Sequence, residues 1–125
     1  MEKRTNEIGA LGEKKAAEYL RKNKYIIHTL NYRCPYGEID IVAEKDGVIA
    51  FVEVKTRSGV KFGKPAEFVN EKKQARIYSA AQLYVYNNDI DLQPRFDVVE
   101  VYKGKLDDLS DATVNHIINA FQFDN

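Results

Sequence analysis

Cysteine and histidine are scarce in this chain, net charge is absent, and no long apolar run occurs. Cys34 is the only cysteine, which excludes an internal disulfide and a zinc cluster built on cysteine. A nucleophilic thiol needs a positioned histidine. Only His28 and His116 exist, and nothing in the sequence ties either to Cys34 or sets them at metal-ligand spacing. All three are read as ordinary strand, turn, core or surface residues. No window approaches the roughly 18 apolar residues of a membrane helix. The start, MEKRTNEIGALGEKK, is charged and lacks the apolar stretch of a secretory signal, so a cytoplasmic protein is expected. Repeats, low-complexity tracts and long linkers are also missing. The 125 residues are therefore read as one domain, residues 1–125, long enough to bury a core.

The zero net charge hides a regional pattern. Residues 1–33 hold eight Lys/Arg against four Asp/Glu, and residues 55–76 hold seven against two. Residues 34–54 hold one against five, and residues 77–125 three against eight. Two basic segments of this kind suit a phosphate-binding face, although solvated helix faces account for much of such a pattern.

The periodicities predict helix, three strands, helix, strand, helix. Over residues 6–23, Ile8, Leu11, Gly12, Ala16, Tyr19 and Leu20 share one face at helical spacing. Tyr25 to Arg33 is a β-rich run. It is followed by a CPYG turn and a hairpin, Gly37 to Arg57. Residues 58–65, SGVKFGKP, form a basic loop punctuated by glycine and proline. Asn70 is the predicted N-cap of a second helix reaching Tyr86, with Gln74, Ile77, Tyr78, Ala81, Tyr84 and Val85 inward. RFDVVEVYKG supplies the fourth strand, and ATVNHIINAF, residues 112–121, a short closing helix.

The hairpin carries the chemistry. Asp46-Gly47 between alternating apolar residues predicts a two-residue type I′ turn. Every opposed pair then sums to 93, which sets Val42 opposite Phe51 and Asp40 opposite Glu53. Ile39, Ile41, Ala43, Ala50, Val52 and Val54 fall on one face. Glu38, Asp40, Glu53 and Lys55 fall on the other. Opposed like charges destabilise a sheet, so something must offset the repulsion. A divalent cation such as Mg²⁺ would do so while keeping waters for a phosphate; neutralisation by Lys55 and a nearby arginine is the alternative.

An Asp, about a dozen residues, then Glu53-Val54-Lys55 resembles the signature of the PD-(D/E)XK nuclease superfamily. The predicted order αβββαβ resembles that superfamily's restriction-endonuclease-like core: an α/β fold with a mixed central sheet flanked by helices, here with a short C-terminal helix. Glu13 lies at the border of the first helix's apolar face. It reads either as a third acid at a metal or as a helix-surface glutamate. QARIY, Gln74 to Tyr78, matches the Q-x-x-x-Y element of RecB-like members. Nearly the whole chain, through GEKKAAEYL, NYRCPYGEIDIVA, FVEVKTR, KFGKPAEFV, RFDVVEV and HIINAF, resembles the bacterial YraN-like family of predicted endonucleases, itself similar to archaeal Holliday-junction resolvases.

The resemblance implies a metal-dependent endonuclease. Asp40, Glu53, the Val54 carbonyl and Glu13 would hold Mg²⁺ or Mn²⁺, with Lys55 as base or charge stabiliser and Gln74 as a further catalytic-site residue. Arg33, Arg57, Lys61, Lys64, Lys72, Lys73 and Arg76 are the candidates for contacts to a nucleic-acid backbone, which position without reading sequence. With no recognition helix, structure-selective cutting of branched or single-stranded DNA is the expectation. Resolvase-like relatives also imply a homodimer, and no membrane partner is expected. A non-catalytic nucleic-acid-binding module and a scaffold domain with an acidic patch at residues 89–111 are the rival classes.

Overall fold

A computed structural model describes residues 2–58 and 70–122, with side chains from residue 7 onward. Lys61, Lys64 and most of the predicted 58–65 loop lie outside the described residues. The elements run α1 (Glu2–Lys22), β1 (Ile26–Cys34), β2 (Gly37–Lys45), β3 (Val48–Ser58), α2 (Glu71–Asn87), β4 (Gln93–Lys103) and β5 (Thr113–Phe121). The strands form one mixed sheet in the order β1-β2-β3-β4-β5, with β3 and β4 parallel and the other neighbours antiparallel. The predicted order αβββαβ is what the structure has. Among the described residues no helix is long and apolar enough to cross a membrane.

Local chemistry accounts for most boundaries. Asp46 and Gly47 both take positive φ, 48° and 81°, as a type I′ turn demands. Asn70 caps α2 by accepting from Lys73 N at 2.9 Å. Both helices stop in Schellman motifs without glycine. Tyr25 N bonds to Leu20 O and Lys24 N to Arg21 O, with Lys24 at φ 71°. Asp89 at φ 49° does the same for α2, with Ile90 N on Val85 O and Asp89 N on Tyr86 O. Glycine is the usual residue at that position.

The helices cover opposite faces of the sheet. Ala16, Ala17 and Leu20 of α1 pack with Tyr25, Ile41, Ala43, Ala50, Val52, Val99 and Val101. Ile77, Ala80, Ala81 and Tyr84 of α2 pack with Val42, Ile49, Phe51, Phe96 and Val98 on the other face. The hairpin is thus buried on both faces over most of its length, and its acids stand where that burial ends. α1 approaches β3 so closely that a Cβ at Gly12 would collide with the Thr56 hydroxyl. That approach brings the neighbouring Glu13 to the sheet.

The predicted closing helix, residues 112–121, is instead strand β5, paired antiparallel to β4 through Val98↔Ile117, Glu100↔Asn115 and Tyr102↔Thr113. Val114, Ile117, Ile118 and Phe121 satisfy helical spacing, which misleads. Strand is favoured because Thr113, Val114, Ile117 and Ile118 are β-branched and β4 would otherwise expose its hydrogen-bonding edge. The pairing register shifts between Phe96 and Val98. Asn119, at φ 58° in that irregular stretch, donates its N–H to Asp97 Oδ1 at 3.0 Å.

Candidate metal and phosphodiester site

The site forms where β2 and β3 part. Their pairing runs from Lys45↔Val48 to Ile41↔Val52, following the predicted register. It does not continue to Asp40 and Glu53. β2 stays with β1 down to Cys34↔Gly37, while β3 stays with β4 to Ser58↔Lys103. In the resulting wedge the Asp40 carboxylate takes the place of a partner strand, its Oδ2 accepting from Val54 N at 2.8 Å. The same carboxyl also shares a side-chain hydrogen bond with Glu53.

Strand alternation also breaks at this point. Ile39, expected beside Ile41, packs on the α2 side with Val42. β1 turns over with it: Asn31, between the pairs Leu30↔Ile41 and Tyr32↔Ile39, takes φ 53°. The irregularity lets acids from both sides of the sheet converge. Glu13 comes from α1 and interacts with Asn31, Glu38 and Glu53. Glu53 is only 8% exposed and meets Lys73 Nζ of α2 at 3.1 Å. Gly37, Glu38, Asp40, Glu53, Asn70, Lys72, Lys73, Arg76 and Ile77 line the cleft there, of about 530 Å³.

The electrostatics are those of crowded acids. Burial, then the Glu53 charge, pushes the Asp40 carboxyl up to about 8 against the opposing Val54 hydrogen bond. Burial also raises Glu13, helped by Glu38 and Glu53 and opposed by Asn31. Lys55, on the same side of β3 as Glu53, is lowered by burial and by the Lys73 ammonium. A low-lying lysine beside a high-lying carboxyl is the arrangement that active sites use.

These shifts give a pH prediction. A carboxyl raised in the folded state binds its proton more tightly there, so stability falls as pH climbs from about 4 through 8. Asp40→Asn keeps an acceptor for Val54 N while removing the charge. The variant should be more stable than the wild type in EDTA by about 1–3 kcal/mol at pH 8, with the gap closing by pH 4. Chemical denaturation across that range measures it; equal stability at pH 8 would show that Asp40 bears no strain from its neighbours.

Hard carboxylate oxygens fit Mg²⁺ or Mn²⁺, ions that take one or two carboxylates and keep waters for a phosphate. Among the described residues no three His, Cys, Asp or Glu side chains form a ready-made metal cage. Asp40 and Glu53, which both line the cleft, are the inner acids of the candidate set, whereas Glu13 lines a separate hollow with Val54 and Thr56.

The remaining sequence-selected residues divide. Lys72, Lys73 and Arg76 line the cleft. Gln74, half-buried on the same turn, is not among its lining residues. Tyr78 packs near Phe96, ring centroids 6.1 Å apart. Arg33 pairs with Glu38 at 3.2 Å. Arg57 is engaged internally, its Nε donating to buried Glu100 at 2.9 Å, which also accepts from Asn115. Cys34 is a half-buried free thiol packed against the α2-side core. His28 bonds Glu44 at 2.9 Å, and His116 bonds Asp97 at 2.8 Å. Of the acids in residues 89–111, Asp97 and Glu100 are buried inside the fold. Lys73 as the direct partner of Glu53 was not readable from the sequence, which marked it only as one basic residue among several.

A family model described as "Uncharacterised protein family UPF0102" matches residues 12–101, a span that includes both acids, Lys55 and Lys73. A UPF0102 protein of Caldanaerobacter subterraneus subsp. tengcongensis is 47% identical over 115 residues, covering 91% of this chain and 93% of that one. One from Clostridioides difficile is 46% identical over 116 residues, 92% of this chain and 96% of its own. One from Flavobacterium psychrophilum is 39% identical over 116 residues, 93% and 94%.

Proposed function

The chain belongs to the UPF0102 family, and from the acidic wedge we propose that it is a metal-dependent endonuclease. The observation that carries this reading is the convergence of Asp40 and Glu53 at the splayed end of β2 and β3, with Lys55 beside them. Asp40, Glu53 and the Val54 carbonyl would hold Mg²⁺ or Mn²⁺, with Glu13 as an outer acid. When bound, the ion supplies Lewis-acid stabilisation of phosphate oxygens.

The chain's own groups do the rest. Val54 N–H keeps Asp40 oriented. Lys55 accepts the proton of an attacking water or stabilises charge at phosphorus. The water oxygen bonds to phosphorus while one P–O ester bond breaks, and the leaving oxygen takes a proton. Lys72 and Arg76, exposed at the cleft rim, suit backbone phosphates and read no bases. Branched or single-stranded DNA in the bacterial cytoplasm is the proposed substrate, cut for its shape, by a homodimer as in resolvase-like proteins.

The Lys73–Glu53 ion pair favours one rival, a nucleic-acid-binding module whose carboxylates are neutralised from within. Isothermal titration of Mg²⁺ and Mn²⁺ into the wild type and the Asp40→Asn, Glu53→Gln double variant separates the two. Cleavage assays on branched, single-stranded and duplex DNA complete the test. Metal binding by the wild type that the double variant lacks, with metal-dependent cuts, is the expected result. Identical titrations and no cuts would leave the binding module.

A further inference from the structure

Glu53 has a resident counterion that a metal must displace. Its Oε1 lies 3.1 Å from Lys73 Nζ, which reaches it from the first turn of α2, 20 residues further along the chain. The two ends of the pair differ sharply in exposure: 8% for the Glu53 side chain and 45% for Lys73. The acid is fixed in the wedge, whereas the lysine head stands at the open cleft and can swing into solvent. Lys73 also shares a side-chain hydrogen bond with Lys55.

From this geometry we infer that Lys73 is a positioning residue that gates metal entry, holding Glu53 in the metal-free protein and leaving it when a divalent cation arrives. The inference rests on the metal-site reading above and adds a residue to it. An ammonium on Glu53 and a divalent ion on Glu53 repel each other, so only the conformer with Lys73 withdrawn accepts the ion. The apparent dissociation constant is then the intrinsic one divided by the fraction of that conformer. Lys73 thus trades metal affinity for a neutralised acid in the empty site, where a bare Glu53 would push against Asp40. Lys72 and Arg76 line the same cleft, but no ion pair ties either to Glu53.

Mn²⁺ titration at pH 8, followed by water-proton relaxation, tests the gate in the full-length wild type, Lys73→Met and Lys73→Arg. Methionine keeps the apolar stem and removes the charge; arginine keeps the charge. Lys73→Met should bind Mn²⁺ about 3- to 10-fold more tightly than the wild type, and Lys73→Arg within about twofold of it. Circular dichroism of each variant should match the wild type, since a side chain this exposed contributes little to the core. Unchanged or weaker binding by Lys73→Met overturns the gate while leaving the metal site standing. Tighter binding by Lys73→Arg equal to that of methionine also overturns it, because charge would then not be the cause. No binding by any of the three overturns the gate and the metal site together.

Discussion

Lys55→Met is expected to bind Mn²⁺ within about threefold of the wild type yet cleave DNA at least ~10³-fold more slowly, a loss of ~4 kcal/mol in transition-state stabilisation. The two readouts separate because Lys55 is not among the oxygen donors. It stands on β3 two residues beyond Glu53, so both side chains share the α2 side of the sheet, and it is half-buried. Burial lowers its proton affinity, and in the metal-free protein the neighbouring Lys73 charge adds to this, which enlarges its neutral fraction at a given pH. A neutral amine accepts a proton from water; its charged form stabilises a pentavalent phosphorus. The pH profile distinguishes these roles. If Lys55 is the base, the wild-type rate rises with pH toward its lowered proton affinity, and Lys55→Met loses that rising limb. Single-turnover rates at saturating Mn²⁺ measure both effects. Cleavage by Lys55→Met within about tenfold of the wild type would remove Lys55 from the chemistry.

The second large effect concerns stability, on the other face of the sheet. Asp97 is fully buried and meets four donors. Arg95 Nε and Nη2 donate to its two oxygens at 2.8 Å each, His116 Nε2 lies 2.8 Å from Oδ2, and the Asn119 N–H donates at 3.0 Å. Arg95 Nη2 also donates to the Tyr25 hydroxyl at 2.6 Å, and the rings of Tyr19 and Tyr25 stand edge-on to His116. The network joins β4, β5 and the end of α1. Burial alone would raise the Asp97 carboxyl, but the hydrogen bonds from His116, Arg95 and Asn119 outweigh it and hold it below the usual range. Asp97→Ala leaves Arg95 and His116 facing a buried void without their acceptor. The expected loss is about 3–5 kcal/mol, or roughly 10–20 °C in melting temperature for a domain of this size. Because the folded-state proton affinity is depressed, this stabilisation is present above the ordinary Asp range and is lost as pH falls through the lowered value. Urea unfolding at pH 7 measures the loss. A change under ~1 kcal/mol would mean that water or a shifted side chain replaces the carboxylate.

Local signals made much of the site readable. Asp46-Gly47 announces its turn because few other residue pairs tolerate two successive positive φ values, and that turn carries a register correct from Lys45↔Val48 to Ile41↔Val52. Asn70 announces α2 through its side-chain cap. The acids and Lys55 follow from the same register, since alternation places Glu53 and Lys55 on one side. The register overreaches at Asp40. Counting residues assumes the two strands stay paired, whereas β2 follows β1 and β3 follows β4 once the Val54 N–H finds a carboxylate in place of a strand.

Other features lay beyond any local pattern. Residues 112–121 fit helical and strand periods alike, and the open edge of β4 together with Asp97 decides for strand. Lys24 and Asp89 end their helices in a conformation that favours glycine, so no glycine marks the stop. The partnership of Lys73 with Glu53 and of Arg57 with Glu100 spans the crossover from β3 to β4 or the neighbouring strands.

By itself the sequence determined the element types through β4, the hairpin register from Lys45↔Val48 to Ile41↔Val52 and the placement of Glu53 and Lys55 on one side of β3, because turn chemistry and side-chain alternation act over a few residues. Tertiary structure alone decided that β2 and β3 separate at Asp40, that β5 closes the sheet and that Lys73 pairs with Glu53. Each of those outcomes is a competition for one hydrogen-bonding edge or one buried charge among groups distant in the chain, and only the packed fold brings the competitors together.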